Sequence, residues 1–211
     1  MIHRTRVKIC GITELADALQ VADLGGDAIG LNFHSNSPRA VELETAVRIR
    51  QAMPPFVTVT ALFMDEKADW VERVIEEVRP DNLQFHGQES ADFCAQWLRP
   101  FIKAIPMASV TDVDAYAEQY GAAQGFLMDS NVAGCQGGSG DIFDWSKIPS
   151  NFGFPLVLAG GLNPSNVSAA ITRVRPWAVD VSSGVEKSKG IKDTNLIKRF
   201  FHEVKCADLN R

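Results

Sequence analysis

Cys10 is the first residue whose type and position could do chemistry. It ends the short apolar segment 7–10, and Gly11 follows it directly. Cysteine is most often a small buried hydrophobe in a protein core. A thiol at the end of a strand, with a glycine beside it, can instead face a pocket. The residue alone leaves both interpretations open.

The same arrangement recurs along the chain, where polar side chains come directly after short apolar runs. In a parallel barrel, functional residues lie at the carboxyl ends of the strands and in the loops that follow them. The pattern therefore predicts one pocket that draws on several strands. Its candidate residues are Cys10, Asn32, His34, Arg39, Asp65, His86, Asp129, Gly160, Gly161, Ser182, Ser183 and Gly184.

Eight repeats of an apolar run followed by an amphipathic stretch would position these residues. Segment 28–33, for example, leads into segment 42–53, and the pattern returns through to the end of the chain. Strands that alternate with helices pair in parallel through right-handed crossovers. Eight such units close into a (β/α)8 barrel, a fold whose size range begins at about 200 residues. We therefore predict an α/β protein, with one TIM-barrel domain over residues 1–211.

The main alternative is a doubly wound open sheet. That fold usually has fewer units and a glycine fingerprint after its first strand, where this chain has Gly11 alone.

At a finer level, we expect the third strand over 56–63, a helix cap at Thr111, Pro164 in the first turn of the seventh helix and a final helix over about 193–205.

Two glycine-rich turns, 159–164 and 182–185, predict a phosphate site. Glycine lets backbone N–H groups approach an anion closely, and barrels often bind phosphate after strands seven and eight. Ordinary tight turns would also contain glycine, but the occurrence of glycine-rich turns in two adjacent units favours a phosphate site. The loop 134–140 resembles a phosphate loop but lacks the ending of an NTP-binding motif. It is either a loop over the barrel mouth or a further phosphate contact.

Arg39 and His86 are each open to two interpretations. An arginine in a loop is usually only solvated, but its planar fork suits a carboxylate ligand. His86 either contacts the ligand or supports its loop. The four histidines of the chain show no metal-ligand spacing, so a catalytic metal is not indicated.

Composition narrows the possible partners. A formal net charge of −5 argues against a nucleic-acid surface, which needs a basic stripe. No apolar stretch approaches the roughly 20 residues that span a bilayer, and the basic N-terminus lacks the apolar region of a secretory signal. The four cysteines form no CxxC pair. We therefore expect a cytoplasmic protein with free thiols, no membrane contact and no nucleic-acid partner.

Eight motifs follow one another in order. They are Lys8-Ile9-Cys10-Gly11-Ile12, Ser37-Pro38-Arg39, Gln84-Phe85-His86-Gly87, Leu127-Met128-Asp129-Ser130, Gly137-Gly138-Ser139-Gly140, Phe143-Asp144-Trp145, Leu158-Ala159-Gly160-Gly161-Leu162 and Val179-Asp180-Val181-Ser182-Ser183-Gly184-Val185-Glu186. No single motif is diagnostic, but the ordered set is specific. Over nearly the whole chain, it resembles the phosphoribosylanthranilate isomerase family of tryptophan biosynthesis.

The resemblance implies a TIM-barrel isomerase without a metal or organic cofactor. Its substrate would be N-(5-phosphoribosyl)anthranilate, converted by an Amadori rearrangement to 1-(2-carboxyphenylamino)-1-deoxyribulose 5-phosphate. The resemblance implies that Cys10 is the general base and Asp129 the general acid. It further implies that Arg39 binds the anthranilate carboxylate and that His86 and Asp180 contact the substrate. The implied phosphate-binding residues are Gly138, Gly160, Gly161, Ser183 and Gly184. We expect a monomer or a homodimer.

This chemistry requires suitable pKa values of both the acid and the base. An acid must protonate the furanose ring oxygen, and a base must remove the C2 proton. Asp129 must hold a proton near neutral pH, and its apolar neighbours 126–128 lead us to expect a raised pKa. A free thiol is only a few per cent thiolate at about pH 7. We therefore expect a helix dipole near Cys10 to lower its pKa.

Three other functions compete with this interpretation. A pentose-phosphate epimerase would use paired aspartates and metal-binding histidines, and this chain lacks the histidine pairs. Indoleglycerol-phosphate synthase would use a lysine acid at a strand end, for which Lys103 is the candidate. A catalytically silent barrel would bind a phosphorylated metabolite without turnover, which the presence of both Cys10 and Asp129 disfavours.

Overall fold

Eight parallel strands close into a barrel, as the sequence predicts. The computed structural model describes residues 4–130 and 143–210. Each strand pairs with the next along the chain, and β8 returns to pair with β1. The strands are β1 Arg6–Cys10, β2 Ala28–Asn32, β3 Thr58–Phe63, β4 Asn82–Phe85, β5 Phe101–Pro106, β6 Gly125–Asp129, β7 Leu156–Leu158 and β8 Ala178–Val181.

Helices connect most of the strands around the outside of the barrel. They are α1 Leu15–Asp23, α2 Leu43–Ala52, α3 Ala68–Val78, α4 Ala91–Ala95, α5 Val113–Glu118, α6 Val167–Val174 and α7 Thr194–Leu209. Between β6 and β7 the described residues contain only a short 3₁₀ helix, Trp145–Lys147. In the part of the chain that the structure describes, none of the helices has the length and apolarity to traverse a membrane.

Alternation along each strand separates an inner layer of side chains from an outer one. On β6, Phe126 and Met128 pack outward against the helices, whereas Leu127 belongs to a separate apolar cluster inside the barrel. Successive strand residues point to opposite faces, so Asp129 follows Leu127 into the interior. On β1 the outward residue Ile9 likewise leaves Cys10 facing inward. Strand parity thus directs the carboxylate and the thiol into the barrel mouth.

The structure corrects several of the finer expectations. Strand β3 begins at Thr58, because Phe56 has φ 72°, a value that extended strands do not adopt, and is fully exposed. The cap of α5 is Asp112 and not Thr111, since the Asp112 side chain accepts a hydrogen bond from the Ala115 N–H.

Two further differences lie in the last two units. Pro164 precedes the first turn of α6, which begins at Val167. The sequence analysis also missed a two-stranded hairpin after β8, formed by β9 Glu186–Ser188 and β10 Ile191–Lys192. These strands are too short to produce a visible alternation of polar and apolar residues.

A buried ion pair outside the barrel supports the loop after β4. Lys103 alternates with the inward residues Ile102 and Ala104, so its side chain points outward and away from the pocket. Its Nζ lies 3.0 Å from Glu89 Oε2, 2.5 Å from the Gly87 carbonyl oxygen and 3.4 Å from that of Phe85. Lys103 therefore cannot supply the acid that the indoleglycerol-phosphate synthase alternative requires. Its contacts lie on both sides of His86.

Replacing Lys103 with methionine should strongly destabilise the fold. Lys103 and Glu89 side chains are 0% and 2% exposed, so the variant leaves a buried carboxylate without its partner. Such a change lowers the free energy of unfolding by about 3–5 kcal/mol, which urea denaturation would measure. The double variant Lys103→Met/Glu89→Leu should recover only the part of the loss that comes from the unpaired carboxylate, because Glu89 also accepts hydrogen bonds from the Asp65 and Gly87 N–H groups.

The exposed pair Arg73–Glu77, joined at 2.7 Å, provides the matched control. Arg73→Met should change the free energy of unfolding by about 0–1 kcal/mol. A loss as small as this in Lys103→Met would contradict the importance of the buried pair.

Candidate active site

A pocket opens at the carboxyl ends of the barrel strands. It brings together side chains from the first, second, third, fourth, sixth and eighth strands, together with the loops that follow several of them. The lining residues are Cys10, Gly11, Asn32, His34, Ser37, Arg39, Leu62, Met64, Gln84, His86, Asp129, Ala159, Gly160, Gly161, Leu162, Asp180, Val181, Ser182 and Ser183. Most candidate residues of the sequence analysis are therefore neighbours in space. Asp65 and Gly184 are absent from this lining.

Asp129 and His86 form one ionisable pair in the pocket. His86 Nε2 lies 3.1 Å from Asp129 Oδ2, and the Ser130 hydroxyl lies 3.3 Å from Oδ1. Burial alone would raise the pKa of Asp129, but the contacts with His86 and Ser130 outweigh it and leave the pKa below its ordinary value. The expectation of a raised pKa is therefore wrong in this structure. The apolar strand residues on which it rested do not show the two hydrogen-bonding neighbours.

Gln84 extends this pair and was missed by the sequence analysis. Its Nε2 lies 3.2 Å from His86 Nδ1. An amide nitrogen donates, so Nδ1 is the acceptor and Nε2 carries the proton that faces Asp129. Gln84 is completely buried, and its Oε1 has no hydrogen-bond partner among the described residues. Its position two residues before His86, on an inward-facing register, is a signal that could have identified it.

Cys10 lies beside a second ion pair inside the barrel. The Lys8 Nζ is 3.0 Å from Asp180 Oδ1, and both side chains are buried. Burial raises the pKa of the Cys10 thiol, Lys8 lowers it and Asp180 raises it, and the resulting pKa lies above its ordinary value. The expectation that a helix dipole lowers this pKa is wrong. The nearest following helix, α1, begins five residues later at Leu15, beyond the first-turn range of a helix dipole.

Arg39 is buried and paired, rather than solvated. Its Nε and Nη2 donate to the two carboxylate oxygens of Glu186, at 2.8 and 2.9 Å. Lys192 donates to the same carboxylate at 2.8 Å and to the Ser182 carbonyl oxygen at 3.2 Å. Burial would raise the pKa of Glu186, but these two cations hold it below its usual value. The short hairpin that sequence analysis missed thus orients the guanidinium at the pocket.

The glycine turns after β7 and β8 pack closely against their neighbours. Gly160 and Gly161 have φ values of 79° and 65°, which favour glycine. A Cβ on Gly184 would lie only 1.9 Å from the Leu162 carbonyl oxygen, so the two turns are in contact. Ser183 begins a short 3₁₀ helix, Ser183–Val185. Gly138 lies outside the described residues.

The described residues also contain no group of three or more His, Cys, Asp and Glu side chains that could hold a metal ion. The ionisable side chains of the pocket are instead arranged in small networks. Asp129 pairs with His86, Asp180 pairs with Lys8, and Arg39 pairs with Glu186. This arrangement is suited to moving protons and to binding an anion.

The fold and the pocket define a (β/α)8-barrel enzyme with acid–base side chains at the carboxyl ends of its strands. The model of the family described as N-(5'phosphoribosyl)anthranilate (PRA) isomerase matches residues 7–203. The chain belongs to this family, which confirms the resemblance found in the sequence.

Individual relatives agree with this assignment. N-(5'-phosphoribosyl)anthranilate isomerases from Alcanivorax borkumensis and Hahella chejuensis are each 50% identical to the chain, over 95% of it and over 95% and 94% of their own lengths. The phosphoribosyl anthranilate isomerase structure from Thermotoga maritima superposes with a TM-score of 0.85 at 40% identity, covering 96% of this chain and 99% of that one.

A second solved structure holds a ligand. It is a phosphoribosyl anthranilate isomerase in complex with reduced 1-(o-carboxyphenylamino)-1-deoxyribulose 5-phosphate. It superposes with a TM-score of 0.82 at 38% identity, and the match covers 96% of this chain and 99% of that chain. The similarity therefore extends across nearly the whole chain.

Replacing His86 with leucine should raise the pKa of Asp129. The variant removes the hydrogen bond from His86 that lowers this pKa and leaves burial, which raises it and is then opposed by Ser130. The lowered pKa stabilises the fold above the ordinary pKa of aspartate, and this contribution is lost as the pH falls through the lowered value. Carbon-13 NMR of the carboxyl group would measure the shift.

His34→Leu is the matched control, because His34 also lines the pocket but its Nδ1 lies 2.7 Å from Glu66. It should leave the Asp129 titration unchanged. Equal titration shifts in the two variants would show that His86 has no specific effect on Asp129.

Proposed function

We propose that the chain isomerises N-(5-phosphoribosyl)anthranilate to 1-(2-carboxyphenylamino)-1-deoxyribulose 5-phosphate, with Cys10 as general base and Asp129 as general acid. The observation that carries the proposal is the presence of both groups in one pocket of a family member. The reaction is an Amadori rearrangement in tryptophan biosynthesis. The ligand named for the related complex is the reduced form of this product.

Asp129 would act in the first step. Its carboxyl proton passes to the furanose ring oxygen, the bond from that oxygen to C1 breaks, and the nitrogen lone pair forms an iminium. The acid must therefore be protonated when the substrate is bound. The phosphate and carboxylate of the substrate bring negative charge into the pocket, and nearby negative charge raises the pKa of a carboxyl group. His86 holds the carboxyl side chain in position.

Cys10 would act in the second step. Its thiolate takes the proton from C2, and the C–H electron pair forms the C1=C2 bond while the iminium becomes a neutral amine. The resulting enolamine tautomerises to the ketone as its hydroxyl loses a proton and C1 gains one. Proton transfers to and from positioned groups typically contribute about 10²–10⁴-fold each.

The remaining pocket residues would bind the two ends of the substrate. Arg39 would bind the anthranilate carboxylate with N–H groups that Glu186 does not occupy, since the fork geometry of a guanidinium suits a carboxylate. The phosphate would lie at the glycine turns after β7 and β8, near the start of the 3₁₀ helix Ser183–Val185. His86 and Asp180 also line the pocket and remain proposed substrate contacts.

Five further properties are proposals that follow from the sequence. We propose a single domain over 1–211 and a requirement for no metal or organic cofactor. The partner would be a phosphorylated small molecule, and neither nucleic acid nor membrane would be bound. The chain would act in the cytoplasm, consistent with the free thiols of Cys10, Cys94 and Cys206. It would be a monomer or a homodimer; a Thermotoga maritima relative is described as dimeric.

Substituting either proposed proton-transfer residue should abolish most turnover. Cys10→Ala and Asp129→Asn should each lower kcat by about 10²–10⁴-fold, with a much smaller change in KM. Turnover can be followed by the fluorescence of phosphoribosylanthranilate. Cys206→Ser, a half-buried thiol on α7, should retain wild-type rates.

The outcomes separate the competing functions. Wild-type turnover in Cys10→Ala would rule out the thiol base. A folded wild-type chain that binds the substrate analogue but shows no turnover would support the catalytically silent barrel instead.

Gly184→Ala should weaken binding of the phosphate group. The added methyl group meets backbone at 1.9 Å, so the turn after β8 must move relative to the turn after β7. We expect KM to rise at least about tenfold, and inorganic phosphate to inhibit the variant more weakly than the wild type. Gly153→Ala is the control, because a Cβ there meets no atom within 4 Å. An unchanged KM in Gly184→Ala would argue against a phosphate site at these turns.

A further inference from the structure

The ion pair between Lys8 and Asp180 is an unusual feature of the barrel interior. The Lys8 and Asp180 side chains are only 7% and 8% exposed, and both face inward from neighbouring strands. Six apolar residues form a cluster elsewhere in the same interior. Replacing a buried ion pair with well-packed apolar side chains is often neutral or stabilising. Stability alone therefore gives no reason for charges at this position.

Gly30 shows how close the lysine lies to the proposed base. It is the residue of β2 that pairs with Cys10 in the barrel register. A Cβ on Gly30 would lie 2.7 Å from the Cys10 Sγ and 3.0 Å from the Lys8 Nζ. The thiol and the ammonium thus occupy the same small space, which the missing side chain of Gly30 leaves open.

The two side chains of this pair affect the thiol in opposite directions. Lys8 lowers the pKa of Cys10 through its charge, whereas burial and the Asp180 carboxylate raise it. Burial would also lower the pKa of Lys8, but Asp180 and Cys10 outweigh it and hold that pKa above its ordinary value. Lys8 therefore keeps its proton at neutral pH, and its charge remains beside the sulfur.

The other charged groups around the thiol form ion pairs with other side chains. Lys192, from β10, also lowers the pKa of Cys10, but it donates to Glu186 at 2.8 Å. Arg39 interacts with Cys10 as well and shares the same carboxylate. Asp129 and His86 line the pocket from β6 and from the loop after β4, and they pair with each other. Among these cations, Lys8 is the one whose ammonium borders the same open space at Gly30 as the sulfur.

We propose that Lys8 is a positioning residue whose ammonium stabilises Cys10 as the thiolate, with Asp180 as the anion that holds the ammonium in place. The role in catalysis rests on the proposed function of Cys10 as base. In the second step the thiolate takes the C2 proton and becomes a neutral thiol, while Lys8 keeps its own proton. Gly30 is required because any side chain at that position would separate the sulfur from the ammonium.

The alkylation rate of Cys10 by iodoacetamide tests this directly, because the thiolate is the reactive form. Peptide mass spectrometry assigns the modification to Cys10 among the cysteines of the chain. In Lys8→Met we expect alkylation at pH 7 to slow by about tenfold or more, which corresponds to a rise of about one unit in the thiol pKa. Lys8→Arg keeps the charge and should retain much of the wild-type rate.

Two further variants separate this role from a structural one. Lys8→Met/Asp180→Leu removes both charges and should restore stability. Loss of Asp180 also removes one group that raises the thiol pKa, but the thiolate still lacks its cation, so alkylation should stay slower than in the wild type. Arg73→Met is the control, because it removes a cation from the exposed ion pair with Glu77 and should leave the fold and the pocket unchanged. Its Cys10 should be alkylated at the wild-type rate.

Two results would overturn the proposal. One is a wild-type alkylation rate in Lys8→Met, and the other is recovery of that rate in the double variant. Gly30→Ala should slow alkylation in the same way, which keeps the test available if Lys8→Met does not fold. Turnover is measured separately. In Lys8→Met, slow alkylation with normal turnover would support the effect of Lys8 on the thiol but reject Cys10 as the general base. A wild-type alkylation rate in Lys8→Met, together with an inactive Cys10→Ala variant, would reject only the effect of Lys8.

Discussion

The register in which β8 closes onto β1 determines which groups meet inside the barrel. In this register Lys8 lies directly opposite Asp180, a residue 172 positions later in the chain. On the other side of β1, Cys10 lies opposite Gly30. Because side chains alternate between the two faces of a strand, a slip of one residue would turn the thiol and lysine outward together. The proposed base and its charged environment therefore depend on one set of strand pairings.

The same barrel mouth imposes an electrostatic constraint on the chemistry. Burial opposes ionisation of both Cys10 and Asp129, so each group depends on its neighbours for its charge state. At Asp129, the contacts with His86 and Ser130 outweigh burial, so the carboxylate is favoured. For Cys10, burial prevails over Lys8 and the thiol is favoured. A substrate that carries two anionic groups raises both pKa values. This favours the protonated acid at Asp129 and makes the Cys10 thiolate depend on the cations beside it.

Support for the pocket also comes from outside the barrel. Glu89 accepts hydrogen bonds from Lys103 and from the Asp65 and Gly87 backbone N–H groups, at 3.0, 2.9 and 3.3 Å. Tyr120 donates to the Glu89 carbonyl oxygen at 2.9 Å. These contacts connect the loops after β3 and β4 to strand β5 and to the segment that follows helix α5. The turn that contains His86 is thereby held by groups that never reach the pocket.

The sequence by itself determined the eight alternating units, and with them the barrel and the polar ends of its strands. Cys10 and Asp129 were identified in this way because an apolar run and the residue that ends it are local features. Local reasoning was less successful where no periodicity exists, as at the misplaced Thr111 cap and the short hairpin that carries Glu186. Tertiary structure alone decided that Glu186 meets Arg39 and that Asp180 meets Lys8. It also decided both pKa directions, because each is a balance between burial and several neighbours, some of which, such as His86 for Asp129 and Asp180 for Cys10, lie far away in the chain.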